Sequence, residues 1–492
     1  MRQTLKRTSS LADITNLEPQ RVWKHFHALT RIPRPSGHEE QAREFLAAFG
    51  RELGLETIAD DAGNIIIRKP ASPGMEHRKG VILQAHLDMV PQKNSGTEHD
   101  FLRDPIRTCV DGGWVRAEGT TLGADNGLGL AAALAVLEAD DLPHGPVEAL
   151  FTGNEEAGMT GARGLRPGLL RGSILMNLDS EDEGELFVGC AGGLDAVAGF
   201  EVPEQPVPPG MRGFRITVSG LRGGHSGMDI ALGRGNANKV MNRLLHDACE
   251  RHGLRIGSIE GGSLRNAIPR ESFAHVAVSA GHAEGCIASC KALAAAISSE
   301  LSATEPELRI EATPAGLPGS VMEEGACRRL LMAVHACPNG VMRMSDAMEG
   351  LVESSNNLAI VRAANGAARV ECLLRSSVDS AMEDLSATIG SLFRLAGASF
   401  RLEGGYPGWR PDPASPVLML MKTVYRERFG SEPQVRAVHA GLECGIIGGS
   451  HPGLDMISFG PTIRHPHSPD EKAEIASVGR FWELLAATLA AV

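Results

Sequence analysis

Apolar runs that end directly on acids or histidines constrain the fold of this chain more than any other feature. GVILQAHLD arrives at His86 and Asp88, PVEALFTGNEE at Glu155 and Glu156, and SILMNLDS at Asp179. Runs of this length, rich in Val, Ile and Leu and closed by polar residues, read as buried strands. Between them stand helical patterns such as GLGLAAALAVLEAD. The alternation predicts an α/β layer fold around a largely parallel sheet. Such sheets bind ligands beyond the carboxyl ends of their strands, which is where these charged groups fall. Another strand, LDMISFG, leads into GPTIRHPHSPDE and adds His467.

From about residue 192 the pattern changes. FRITVSG, ESFAHVAVSA and ELRIEAT are interspersed with long helices such as NANKVMNRLLHDACERHG, which predicts a smaller α+β domain. After SFRLEGG, the Pro- and Gly-rich YPGWRPDPASP reads as a crossing back. The expected organisation is a catalytic domain in two parts, 1–191 and 396–492, interrupted by an inserted α+β domain at 192–395. A chain of 492 residues exceeds what one hydrophobic core usually serves, so two domains are also the expectation from length.

Composition narrows the function. A net charge of −12 disfavours nucleic acid and anionic membranes as partners, since phosphate affinity rests on clustered Lys and Arg. No apolar run reaches the length of a membrane span, and MRQTLKRTSSLADITNLEP lacks the apolar core of a secretory signal, so a cytoplasmic location is expected. Nine scattered cysteines form neither a disulfide framework nor zinc-ribbon pairs. Cys286 and Cys290, at helical i,i+4 spacing, read as packed thiols. A small-molecule partner is the expectation that remains.

The charged strand ends suit metal chemistry. Residues two apart on an extended backbone project to one side, so His86 and Asp88 are able to act on one centre, His86 as ligand and Asp88 holding its other ring nitrogen. In TTLGADNGLG, Asp125 opens an apolar helix between glycines, a position shared by ordinary N-caps and by carboxylates that bridge two cations. Adjacent glutamates are usually solvated charge. At the mouth of a strand and flanked by glycines they divide naturally into a ligand, Glu156, and a general base, Glu155. With Asp179 and His467 the set offers two imidazoles and three carboxylates, a composition suited to two zinc ions.

These segments, together with GCAGG, GLRGGHSGMDI, GRGNANK, SLRNAIPRE and HAGLECG, resemble the aminoacyl-histidine dipeptidases of the M20 metallopeptidase family, from about residue 13 to the C-terminus. The resemblance implies a zinc-peptidase catalytic domain with an inserted lid that also dimerises. It implies two Zn²⁺ per subunit, with Co²⁺ or Mn²⁺ as substitutes: His86 and Asp179 at one site, Glu156 and His467 at the other, Asp125 bridging. Glu155 becomes the base, Asp88 the partner of His86, and the Asp125–Asn126 peptide is expected to be cis. His225, in the GGHSG loop, is implied to reach the partner subunit's site and polarise the substrate carbonyl. Asn266 and Arg375 are implied to meet the substrate backbone and its terminal carboxylate, for which a guanidinium fork is well shaped. His439 and Glu443 are placed at the rim of the pocket. The implied reaction is hydrolysis of dipeptides, of Xaa-His type and including carnosine-like substrates, by a homodimer. The alternative is an amidohydrolase of the same family acting on N-acyl amino acids or other short peptides; a catalytically silent metal-binding scaffold is the less favoured reading, since Glu155 and His225 are both present. Two departures stand out: Asn154 occupies a position where relatives often carry Thr, and His465 offers a second imidazole two residues before His467.

Overall fold

A computed structural model of the protein describes residues 13–492. Residues 1–12, which carry much of the opening segment read above, lie outside the described residues. The chain divides into two compact units, one made of Met1–Gly189, Pro411–Ala437 and Leu442–Val492, the other of Cys190–Arg410 and Val438–Gly441.

The first unit is built on an eight-stranded sheet. Its centre comprises β1 (Val81–His86), β2 (Val147–Thr152), β3 (Ile174–Asn177) and β4 (Asp455–Ser458), in the spatial order β2-β1-β3-β4. These four are parallel to one another. Every residue of β1, β2 and β3 is buried, the pattern expected of strands covered on both faces. Antiparallel strands Ile65–Lys69 and Glu56–Ala59 extend the sheet beyond β2, so it is parallel only at its centre. Because the four strands run the same way, their carboxyl ends share one edge, and the segments carrying His86, Glu155, Glu156, Asp179 and His467 all leave from it.

Helix α1 (Ala124–Glu138) packs against β1 and against the helix Gln20–Thr30. Nearly all of α1 is buried, which fits a sequence apolar on every side rather than along one stripe. Glycine is required at position 129: a Cβ there would stand 2.1 Å from Asn126 Oδ1 and 2.5 Å from Leu178 O. Its absence lets the start of α1 close on the segment that delivers Asp179.

In the second unit a nine-stranded sheet runs in the order Arg309–Ala315, Met211–Ser219, Ser272–Ser279, Arg255–Gly261, Val352–Ala364, Ala367–Ser376, Gly192–Glu201, Ser399–Tyr406, with Gly340–Met344 added beside Val352–Ala364. The pairings are antiparallel. Helix Ala237–His252 buries Val240, Met241, Leu244, Leu245 and Ala248 in this unit's core, and the side chain of Asn236 caps it by accepting from the backbone N–H of Asn238 and Lys239. Cys286 and Cys290 are buried in the same core, and none of the nine cysteines is joined in a disulfide among the described residues. The return to the first unit falls at residue 411 rather than at 396. Strand Ser399–Tyr406 pairs along Gly192–Glu201, and Cys190 and Trp409 exchange both backbone hydrogen bonds, so the chain stays with the second sheet until after the YPGW turn. Among the described residues no helix is long and apolar enough to cross a membrane.

Candidate metal centre

The residues after the ends of β1, β2, β3 and β4, with the first residues of α1, converge on one cluster. His86 Nε2 lies 3.0 Å from Asp125 Oδ1 and 3.3 Å from Asp179 Oδ1. His467 Nε2 lies 3.1 Å from Asp125 Oδ2 and 2.9 Å from Glu156 Oε1. Asp125 thus turns one oxygen to each imidazole, with Asp179 on the first side and Glu156 on the second. The backbone at Asp125 and Asn126 departs from helical angles, and the peptide between them is cis. Both histidines in RHPHSP are exposed, and it is His467 whose ring meets the carboxylates.

Asp88 is fully buried and serves three partners. Its Oδ1 stands 3.4 Å from His86 Nδ1 and accepts the Glu155 N–H at 2.9 Å, while Oδ2 accepts the Glu156 N–H at 3.1 Å. The Asp88 backbone carbonyl lies closer still to His86 Nδ1, at 3.2 Å, so one residue sets the ring of His86 and the turn carrying both glutamates. These bonds, with the nearby imidazole, outweigh burial and hold the Asp88 carboxyl down at about 2. Asn154 adopts φ 55° and donates to Thr160 Oγ1 at 3.0 Å. Asn tolerates that left-handed conformation where a β-branched Thr is strained, so the departure at 154 suits the backbone of the turn.

Electrostatically the cluster calls for cations. The carboxylates of Asp88, Asp125, Glu155, Glu156, Asp179, Glu181 and Glu443 surround two imidazoles. Burial raises Glu155 well above its ordinary value; His86 opposes this, while Asp179, Glu443 and Glu156 push it further up. Burial likewise lifts Asp179 to about 6 and Glu181 to about 8. The side-chain bonds from Asp125 and Glu156 raise His467 to about 11. Glu156 Oε1 and Asp179 Oδ1 are buried without a hydrogen-bond donor, although each faces an imidazole nitrogen. Lone pairs converging across such gaps, in a set of mixed N and O donors, fit divalent metal ions. His86, Asp125 and Glu156 already have ligand atoms within 4.8 Å of one another.

A second group of the singled-out residues gathers in the other unit. Gly224–His225 pairs with Ala267–Ile268, which places Asn266 beside the His225 loop, and the Asn266 carbonyl accepts the Ser226 N–H at 2.8 Å. His225 Nδ1 accepts from the N–H groups of Gly227 and Met228 at 3.2 and 3.0 Å. Those bonds assign the ring proton to Nε2, and burial together with Arg375 lowers the pKa, so a neutral imidazole presents Nε2–H as a donor. Arg375, 4% exposed, donates to Ser226 Oγ at 3.3 Å and to Tyr406 Oη at 3.1 Å, and its Nη2 lies 3.5 Å from His225 Nε2.

His439 and Glu443 depart from expectation: at 6% and 1% exposure neither lies on a rim. Glu443 opens the helix Glu443–Ser450 of the first unit, and its Oε2 accepts from Gln84 of β1 at 2.6 Å and from Thr152 of β2 at 2.7 Å. His439 belongs to the second unit, its Nε2 2.7 Å from Ser355 Oγ. Burial and the Arg375 charge lower its pKa to about 3. An unfolded histidine takes up a proton near pH 6.5, whereas folded His439 stays neutral down to about pH 3. Its stabilising share is therefore complete above pH 6.5 and is lost as the solution is acidified, by about 2 kcal/mol at pH 5. His439→Gln is expected to flatten the acid side of the stability profile by that amount. Urea unfolding of both proteins at pH 7.5 and pH 5 measures it, and parallel profiles would contradict the assignment.

Glu471, Arg34, Gln84, Thr152 and Tyr406 escaped the sequence reading. Glu471 lies within the PHSPDE segment, where an acid beside a loop aspartate looks solvated; Arg34, between two prolines in RIPRPSG, carried no signal of burial.

Residues 82–491 match the family model Peptidase family M20/M25/M40. The chain is 45% identical over 475 residues to the cytosol non-specific dipeptidase of Escherichia coli (strain K12), covering 96% of this chain and 98% of that one. It superposes with a TM-score of 0.93 on the crystal structure of aminoacylhistidine dipeptidase from Vibrio alginolyticus, at 45% identity and 98% coverage of both chains. Aminopeptidase PepT from Bacillus cereus shares the fold at a TM-score of 0.56 and 18% identity, over 96% of this chain and 98% of that one.

Proposed function

The chain belongs to peptidase family M20/M25/M40, and from that premise we propose that it is a metal-dependent dipeptidase holding two zinc ions on His86, Asp125, Glu156, Asp179 and His467. The observation that carries this reading is Asp125, whose two oxygens face two different imidazoles, each with its own further carboxylate. Zinc suits a mixed histidine–carboxylate set, and Co²⁺ or Mn²⁺ are natural substitutes. Bound divalent ions supply Lewis acidity toward a carbonyl and lower the pKa of water.

The protein's own groups do the rest. Glu155, positioned by the Asp88 carboxylate through its backbone, accepts the proton of the attacking water and passes it to the leaving amine. His225 Nε2–H donates to the carbonyl oxygen as it becomes negative. Arg375 receives the terminal carboxylate, and Asn266 the substrate backbone. We assign the enzyme to the cytoplasm and to a homodimer formed through the second unit, His225 being supplied by the partner chain.

The likeness to a non-specific dipeptidase and to an aminoacylhistidine dipeptidase supports a dipeptide substrate and leaves Xaa-His as a member of the accepted class. Zinc-reconstituted protein assayed against Xaa-His, other dipeptides, tripeptides and N-acetyl amino acids tests this. Hydrolysis is expected for dipeptides, carnosine-like Xaa-His among them; turnover confined to N-acetyl amino acids would shift the assignment to an amidohydrolase.

A further inference from the structure

Four consecutive backbone N–H groups approach one buried carboxylate. Glu471, 2% exposed, accepts from Leu122 and Gly123 through Oε2 at 2.7 and 2.9 Å, and from Ala124 and Asp125 through Oε1 at 2.7 and 3.2 Å. No side chain of this segment takes part; the whole run that presents Asp125 is held by its amides. Its carbonyl side is held as well. Arg34, also 2% exposed, donates through Nη2 to the Gly123 carbonyl and through Nη1 to the carbonyls of Leu87 and Asp88 at 3.0 and 2.9 Å. Room for the guanidinium comes from two glycines of the LGADNGLG segment, since a Cβ at Gly123 or Gly127 would stand 2.8 or 2.7 Å from Nη2. Arg34 is thereby tied to two ligand-bearing segments, and Glu471 to one of them.

We propose that Arg34 and Glu471 form a buried backbone clamp that positions Asp125 between the two metal sites and sets the metal affinity of both. The proposal rests on the reading of Asp125 as the bridging ligand. A bridging carboxylate has little tolerance in placement, because a shift that improves its distance to one cation worsens the other. The side chain of Asp125 has two torsions of its own, so its position depends on fixing the backbone from which it springs. Glu471 does so with both oxygens doubly used. Glutamine in its place keeps one oxygen for two amides and sets an –NH₂ against the other two, donor against donor. Aspartate keeps the charge but draws it back by a methylene.

The full-length wild type, Glu471→Gln, Glu471→Asp and Arg34→Lys are compared by Zn²⁺ affinity in competition with a chromophoric chelator, by the Co²⁺ absorption spectrum, and by thermal unfolding of the metal-free proteins. Glu471→Gln is expected to weaken Zn²⁺ binding at both sites by about 10- to 100-fold, the range typical of residues that orient ligands, and to change the Co²⁺ spectrum. Glu471→Asp is expected to fall between it and the wild type. A residue that serves only folding would lower the unfolding temperature and leave affinity and spectrum alone. Affinity within about threefold of the wild type, with an unchanged spectrum, in a folded Glu471→Gln protein overturns the clamp. Should Glu471→Gln fail to fold, Arg34→Lys and Glu471→Asp decide by the same readouts. Absence of Zn²⁺ uptake by the wild type itself would instead remove the metal reading, and the clamp with it.

Discussion

Replacing Glu155 with alanine is expected to lower kcat by about 10²- to 10⁴-fold, the range a positioned acid–base group contributes, while the metal content stays at the wild-type level. The two adjacent glutamates differ in what their carboxylates face. Glu156 Oε1 is 2.9 Å from His467 Nε2 and belongs to the proposed ligand set; Glu155 is drawn into the turn by its backbone N–H on Asp88. Removing the Glu155 side chain leaves that backbone bond, and therefore the Glu156 position, intact. Glu156→Ala should instead lose metal from the site it shares with His467. Zinc content and dipeptide turnover measured on both variants separate the roles. Near-normal turnover in Glu155→Ala would remove it as the base.

The second large effect concerns His225. Loss of one oxyanion donor costs about 10²- to 10³-fold in kcat, and His225→Ala is expected to fall in that range. If His225 serves the partner's site, inactive His225→Ala and inactive Glu155→Ala proteins should complement each other after subunit exchange. Half of the dimers formed from an equal mixture are mixed, and one of the two sites in each has both groups, so about a quarter of wild-type activity should return. Exchange demonstrated by differently tagged subunits, with no gain in activity, would place His225 in its own chain's site or outside catalysis.

Much of the first unit was legible because its signals are local. A strand buried on both faces is predominantly apolar, and the runs VIL, ALF and ILM give β1, β2 and β3 that character, so the charged groups that follow them stand out. The helix after Asn236 was legible as a long helical pattern, and the structure bounds it by the Asn236 cap and by Gly253, which ends it at φ 61°. The boundary at 411 was hidden because Ser399–Tyr406 is mostly exposed and its partner, Gly192–Glu201, lies two hundred residues away. Glu443 and His439 share one short motif yet belong to different units, which no periodicity reveals. Glu471 and Arg34 were missed for a related reason: their partners are backbone atoms, and backbone atoms leave no trace in the residue letters.

On the proposed assignment, the order in which the ligands occur along the chain also sets when the site can be complete. His86, Asp125, Glu156 and Asp179 precede the second unit, whereas His467 and Glu471 follow it. During synthesis from the N-terminus the hydrolytic centre stays without its final imidazole and without the carboxylate that holds the bridging loop until the entire inserted unit has been made. A polypeptide released before that segment would thus hold only part of the proposed site, and synthesis of the return segment doubles as the step that arms it.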